Sequence, residues 1–361
     1  MQTVRYCVTP AGRVAWSALG SGPPLLLDSG WVSHLRQGLE LFAFGSFVTA
    51  LAERFTVIRY DKPGCGLSAS RGAPDPDPAS LSFEAQTAVA LAVADSAGAD
   101  RFAMFGASQG GQLAAAVAAR HPERVEELVL YGTCARGRDL APEAVRDSLV
   151  ALVRAHWGLG STMLASIFIG GPSPEEVAAF TSAQRASATA AVAARTLEVY
   201  YGTDVADLLP AIRARTLVLH READQATAFA LGQEVAALIP GATLVPLPGS
   251  SHLFYHGAWT EVRDATLGFL SLPAGPRLTG RELEVAALIA DGLTNQAIAS
   301  RLAIAPRTAE AHVENIRRKL DVRSRAQIAA WITARGQDSA GQGGAGQERV
   351  GTRPAVARRS T

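Results

Sequence analysis

Three residues of this 361-residue chain have the types and the order needed for acyl transfer: Ser108, Asp224 and His252. A serine hydroxyl is a weak nucleophile until a histidine takes its proton, and the histidine needs a carboxylate to fix its tautomer and stabilise its cation. Ser108 stands in F-G-A-S-Q-G-G (105–111), a G-x-S-x-G string between an apolar run and an alanine-rich helical segment. Its small flanking residues allow a sharp strand-to-helix turn that lifts the serine oxygen clear of the backbone. Asp224 follows T-L-V-L-H in the segment H-R-E-A-D, with Glu222 as a rival acid, and His252 follows T-L-V-P-L in P-G-S-S-H-L-F. This chain order is expected when each residue tops a successive strand of one sheet. A developing oxyanion needs backbone N–H donors from the residue after the serine and from the loop after the third strand, positions held by Gln109 and Trp31. Trp31, Trp157, Phe168 and Tyr200 are candidates for an acyl pocket, although aromatic residues at such positions are as often plain core.

Such residues need a rigid frame. Short β-rich runs recur at Val4–Val8, Val14–Leu19, Pro24–Asp28, Phe55–Tyr60, Arg101–Gly106, Glu126–Tyr131, Arg215–His220 and Ala242–Leu247, with helical patterns between the later ones. Near-continuous apolar strands such as L-V-L-Y suit a sheet buried on both faces, so the expected fold class is α/β: a doubly wound, mostly parallel eight-stranded sheet. The interval 133–209 is too long for a loop and reads as helical, which predicts a helical cap over the site. Asp61, in the glycine-rich turn to Gly66, reads as loop architecture.

Residues 1–272 resemble the α/β-hydrolase superfamily through D-S-G-W-V-S-H-L, Y-D-K-P-G-C-G-L-S, G-A-S-Q-G-G and P-G-S-S-H-L. Two departures stand out. Where many relatives have His-Gly before the oxyanion residue, this chain has Asp28-Ser29-Gly30, and an inward carboxylate there would oppose the charge to be stabilised. The acid loop reads Asp224-Gln225-Ala226-Thr227-Ala228, where a proline often follows the acid. Domains of this superfamily also serve as receptors, so the elbow is compatible with binding as well as with hydrolysis.

The composition is that of an ordinary soluble globular protein, 48% hydrophobic and 19% charged. Cys7, Cys65 and Cys134 form no C-x-x-C pair and are odd in number, which argues against a disulfide framework or zinc ribbon and fits a reducing cytoplasm. No signal-peptide pattern or membrane-spanning run is present, so cytoplasmic localisation without membrane association is expected. No metal and no cofactor is expected. The net charge of +1 hides an asymmetry: residues 276–335 carry ten basic and six acidic side chains, against twenty and twenty-five in the first 275. A basic end on a mildly acidic body hints at nucleic acid as a partner.

That end, 278–335, reads as four short helices behind a short, stiff linker at 273–277, and a glycine- and glutamine-rich tail at 336–361 is expected to be disordered. Thr279 and Glu282 form a capping-box pattern, Gly292 ends the first helix, Thr294 opens the second and Pro306 starts the third. On the third, Ala309, Val313, Ile316 and Leu320 make a buried stripe, and the opposite face carries Arg307, Thr308, Glu310, Ala311, Glu314, Asn315 and Arg318. The segment resembles the LuxR-type helix-turn-helix through L-T-x-R-E, G-L-T-N, H-V-E-N-I and K-L-D-V-R-S-R. The resemblance implies that this face enters the major groove of double-stranded DNA, with Glu310 and Glu314 accepting from cytosine N4 or facing water. It also implies a homodimer, with Ile328, Trp331 and Ile332 as interface candidates. The expectation is a transcriptional regulator whose hydrolase-like domain binds, and possibly hydrolyses, a small molecule; the alternative is an active serine esterase, lactonase or thioesterase with an accessory DNA-binding domain.

Overall fold

Strands buried on both sides are apolar at nearly every position, and the central strand of this sheet, F-A-M-F-G-A (102–107), is buried throughout. The computed structural model describes residues 3–69, 75–271, 278, 280–320, 322 and 324–332. The expected linker at 273–277, the Thr279 cap and the tail at 336–361 lie outside these residues. The chain divides into two units, Met1–Leu272 and Pro273–Thr361.

In the first unit, all eight expected runs are strands, with ends that differ by at most two residues: β1 (Arg5–Thr9), β2 (Gly12–Leu19), β3 (Pro24–Asp28), β4 (Thr56–Tyr60), β5 (Phe102–Ala107), β6 (Val125–Tyr131), β7 (Arg215–Arg221) and β8 (Thr243–Leu247). Their spatial order is β1-β2-β4-β3-β5-β6-β7-β8. β2 pairs antiparallel with β1 and with β4, and every other pairing is parallel. Short helix α1 (Gln37–Glu40) and α2 (Phe44–Ala52) follow β3, α3 (Phe83–Ser96) precedes β5 and α4 (Gln109–Arg120) follows it. Between β6 and β7 lie four helices, α5 (Glu143–Ala155), α6 (Trp157–Ile169), α7 (Pro174–Ser187) and α8 (Ala190–Gly202). Helices α9 (Phe229–Leu238) and α10 (Trp259–Ser271) complete the unit.

Side chains alternate across the sheet because the strand period is two. On β5, Phe102 and Met104 pack with residues of α3, α4 and α9, whereas Ala103, Phe105 and Ala107 pack with residues of α2 and α10. A third apolar cluster, with Val153, Leu164, Val192 and Leu197, packs α5, α6 and α8 together. The three cysteines are free and buried. Among the described residues no helix is long and apolar enough to cross a membrane.

The second unit holds α11 (Gly280–Ala290), α12 (Asn295–Arg301) and α13 (Pro306–Leu320), and residues 325–332 are helical. Gly292, at φ +81°, closes α11, and the Thr294 hydroxyl caps α12 by accepting from the Ala297 N–H. Val285, Ile289, Ile298, Ala309, Ile316 and Leu320 form its core. Glu282, expected to reach back to Thr279, is buried and ion-paired with Lys319 of α13 at 2.6 Å. Ile328 is fully buried in the same core, so it is not a surface interface residue; Trp331 and Ile332 are half-buried against that core.

Candidate active site and nucleic-acid interface

The turn from β5 into α4 places Ser108 at φ +56° and ψ −124°, a conformation costing an L-residue about 1–3 kcal/mol. Local sequence permits it. A Cβ at Gly106 would lie 2.4 Å from the Gly110 carbonyl oxygen, and one at Gly110 would lie 2.7 Å from that of Asp28. The Ser108 N–H donates to the Tyr131 carbonyl (2.9 Å), and the Thr133 hydroxyl donates to the Ser108 carbonyl (2.7 Å), which pins the turn. Gln109 begins α4, so its N–H belongs to the first turn, whose donors have no intrahelical acceptor.

His252 and Asp224 meet at 2.7 Å, Nδ1 to Oδ2, and both are buried. The other carboxylate oxygen accepts from the N–H groups of Ala226 (2.9 Å) and Thr227 (3.0 Å), so the acid loop is held without a proline. Burial pushes the Asp224 carboxyl up, but His252 and the Thr227 amide outweigh it and hold the group below its ordinary range. Glu222, the rival acid, is exposed. The nucleophile contact is different: among the described residues no hydrogen bond joins Ser108 to His252, and Ser108 Oγ instead donates to the Tyr200 hydroxyl at 3.4 Å.

Ser108, His252 and Trp31 share the wall of one cavity. Phe44, Phe168, Phe180, Leu253 and Phe254 supply apolar wall; Ser33, His34, Arg59, Asp61 and Gln184 add polar groups. Trp157 packs edge-on against Trp31 at 6.0 Å, outside that wall, and Tyr200 also lies outside it, so neither is the lining residue expected of it. Asp61 accepts from the Leu67 N–H at 2.7 Å, the loop role its sequence context implies. Sequence reasoning missed Arg59, whose pKa is lowered to about 10 by burial against the raising field of Asp61. A lone arginine in T-V-I-R-Y was the available signal: strand alternation puts it beside Val57, on the cavity side of the sheet. Phe180 and Gln184, one turn apart on α7, became visible only once the helix met the cavity.

The opposition expected from Asp28 is overturned. Leu27 faces the cavity, so Asp28, next on β3, turns to the other face of the sheet and does not line it. There Lys62 Nζ approaches Asp28 Oδ1 to 3.2 Å, the Tyr60 hydroxyl donates to Oδ2 at 2.6 Å, and the Gly30 N–H donates to Oδ1 at 3.3 Å. The carboxylate is neutralised and braces the loop that carries Trp31.

A strand-to-helix serine elbow, a buried Asp–His pair and a mostly parallel eight-stranded sheet lead to a family. The model of the alpha/beta hydrolase fold matches residues 23–258. The chain belongs to the α/β-hydrolase fold family. Polyketide synthase ThaQ of Burkholderia thailandensis is 30% identical over 262 residues, 70% of this chain but only 12% of the synthase. The enol-lactonase of Burkholderia xenovorans LB400 superposes with a TM-score of 0.64 at 23% identity, covering 74% of this chain and all of the lactonase, which shows the shared fold. Residues 276–332 of this α/β-hydrolase-fold chain match the model of bacterial regulatory proteins of the luxR family. The transcriptional regulatory protein LiaR of Bacillus subtilis is 48% identical over 54 residues, 15% of this chain and 26% of LiaR. Residues 276–332 are therefore a LuxR-type DNA-binding domain.

On α13 of that domain, Arg307, Thr308, Glu310, Ala311, Glu314 and Arg318 are exposed, and Asn315 is half-buried, accepting from Arg318 at 3.2 Å. Glu314 is ion-paired with Arg317 at 3.1 Å, within its own helix. The buried stripe of Ala309, Ile316 and Leu320 turns this polar face to solvent.

Proposed function

We propose that the chain is a transcriptional regulator whose α/β-hydrolase domain binds a small molecule and whose LuxR-type domain binds DNA. The observation that carries this reading is a cavity holding Ser108 and His252 in a chain that also contains a DNA-binding domain. For sensing, the ligand must have different affinities for two states of the protein, since equal affinity shifts no equilibrium. On DNA, the exposed face of α13 reads the major groove, and the protein binds as a homodimer on a pseudo-palindromic site.

A second reading, hydrolysis of an ester, thioester or lactone, is supported by the strained elbow and the buried His252–Asp224 pair. Ser108 attacks the carbonyl carbon, His252 takes its proton and returns it to the leaving group, and Asp224 fixes the imidazole; water, giving a proton to His252, then attacks the acyl-serine, and that proton returns to Ser108 Oγ as the acid departs. The N–H groups of Gln109 and Trp31 bind the oxyanion. Both readings hold together if hydrolysis ends the signal.

The test uses the full chain. Selection from random duplex DNA yields a binding site, and affinity for it is measured with Ser108 free and with Ser108 carrying a fluorophosphonate adduct that fills the cavity. A change in affinity is expected; equal affinities refute sensing through this cavity. Absence of an adduct in folded protein, with Ser108→Ala as control, refutes the hydrolytic reading.

A further inference from the structure

Helix α8 touches the elbow twice. Tyr200 accepts from Ser108 Oγ at 3.4 Å, and the carbonyl of Thr196, one turn earlier, accepts from the Gln109 side-chain amide at 3.3 Å. Residues four apart share one helix face, so a single face of α8 holds both the nucleophile and the residue that follows it. Tyr200 is buried, and its oxygen also lies 4.0 Å from Cys134 Sγ. Ser108 Oγ carries one proton. While that proton points at the Tyr200 oxygen it is not directed at His252, whose Nδ1 is taken by Asp224 and whose Nε2 is therefore the nitrogen open to a substrate-side proton.

We propose that Tyr200 is a positioning residue that holds the serine proton away from His252, so that displacement of α8 switches the nucleophile from a resting to an attacking state. The inference rests on the hydrolytic reading above. It makes the helices between β6 and β7 the part of the domain through which an occupied cavity controls chemistry at Ser108. Because α8 also grips Gln109, the same displacement releases the oxyanion donor's own side chain. In the attacking state Oγ gives its proton to His252 and forms a bond to the electrophile as the leaving group departs.

The test is the rate at which a fluorophosphonate labels Ser108 in the full chain, where an O–P bond forms, the P–F bond breaks, fluoride leaves and the proton passes to His252. Tyr200→Phe removes only the competing oxygen. The maximal labelling rate is expected to rise about fivefold, the factor equivalent to a neutral hydrogen bond of ~1 kcal/mol. The probe concentration at half-saturation and the pH inflection should both be unchanged, because cavity and base are the same. A merely structural role would instead lower the rate and the melting temperature together. Tyr200→Met, which keeps apolar volume without the ring, carries the same expectation should the phenylalanine variant melt early. An equal or slower rate in a folded variant overturns this inference alone. No labelling in either protein overturns it together with the hydrolytic reading.

Discussion

Replacing Lys62 by methionine tests whether the charge beneath the oxyanion loop is neutralised as the structure shows. Lys62 and Asp28 are 3.2 Å apart with side chains 5% and 1% exposed, so neither has water to fall back on. At an effective dielectric of ~20, two unit charges at that separation attract by about 5 kcal/mol, much of it offset by the cost of desolvating both. Methionine keeps the apolar length of the side chain and leaves Asp28 with only the Tyr60 hydroxyl and the Gly30 N–H. Breaking a buried pair on one side costs about 3–5 kcal/mol, whereas removing both charges is often close to neutral. Denaturant unfolding of the full chain, followed by the fluorescence of Trp16, Trp31, Trp157 and Trp259 in the first unit, measures it. Lys62→Met should lose about 3–5 kcal/mol, and adding Asp28→Asn should restore most of that loss. Fluorophosphonate labelling of Ser108 should fall in the single variant and recover in the double, since a bare carboxylate behind Gly30 opposes a developing oxyanion. A loss below about 1 kcal/mol, or no recovery in the double variant, would refute the argument.

Asp224 sets an acid limit. Its folded-state pKa is lowered, so the stability it contributes is fully present above its ordinary carboxylate range near pH 4 and is lost as pH falls through the lower folded value. Acid titration of unfolding free energy should show the wild type converging on Asp224→Asn at low pH; curves that stay parallel across that window would contradict the buried pair. At the other end of the chain, Arg307→Ala and Arg318→Ala should each weaken DNA binding, with the salt slope falling by roughly 0.9 for each phosphate contact removed. Unchanged affinity in both variants, measured by titration at several salt concentrations, would mean that α13 faces the DNA differently.

Short-range features were legible in the chain. The eight strands follow from apolar runs, the elbow from small residues around Ser108, and the exposed face of α13 from a 100° rotation per residue, because each depends only on the sterics of near neighbours. Expectations failed or ran out wherever residues distant in sequence had to meet. Asp28 read as a threat to the oxyanion site because sequence does not give its partner; strand parity turns it away from the cavity, and Lys62 reaches it from the loop after β4. Ile328 was an interface candidate through the family resemblance, which does not say whether this side chain faces out or in; packing with α11, α12 and α13 decides that it faces in. Asp224 and Glu222 are two residues apart and chemically alike, and only the fold selects which one points at His252. Tyr200 read as pocket lining or plain core, and α8 brings its hydroxyl to Ser108 across 92 positions of sequence. The sequence by itself determined the elements and the reactive groups they carry. Which group holds whose proton and which charge cancels which were decided by the tertiary structure, since hydrogen bonds and ion pairs act over a few ångströms and only folding brings such atoms that close.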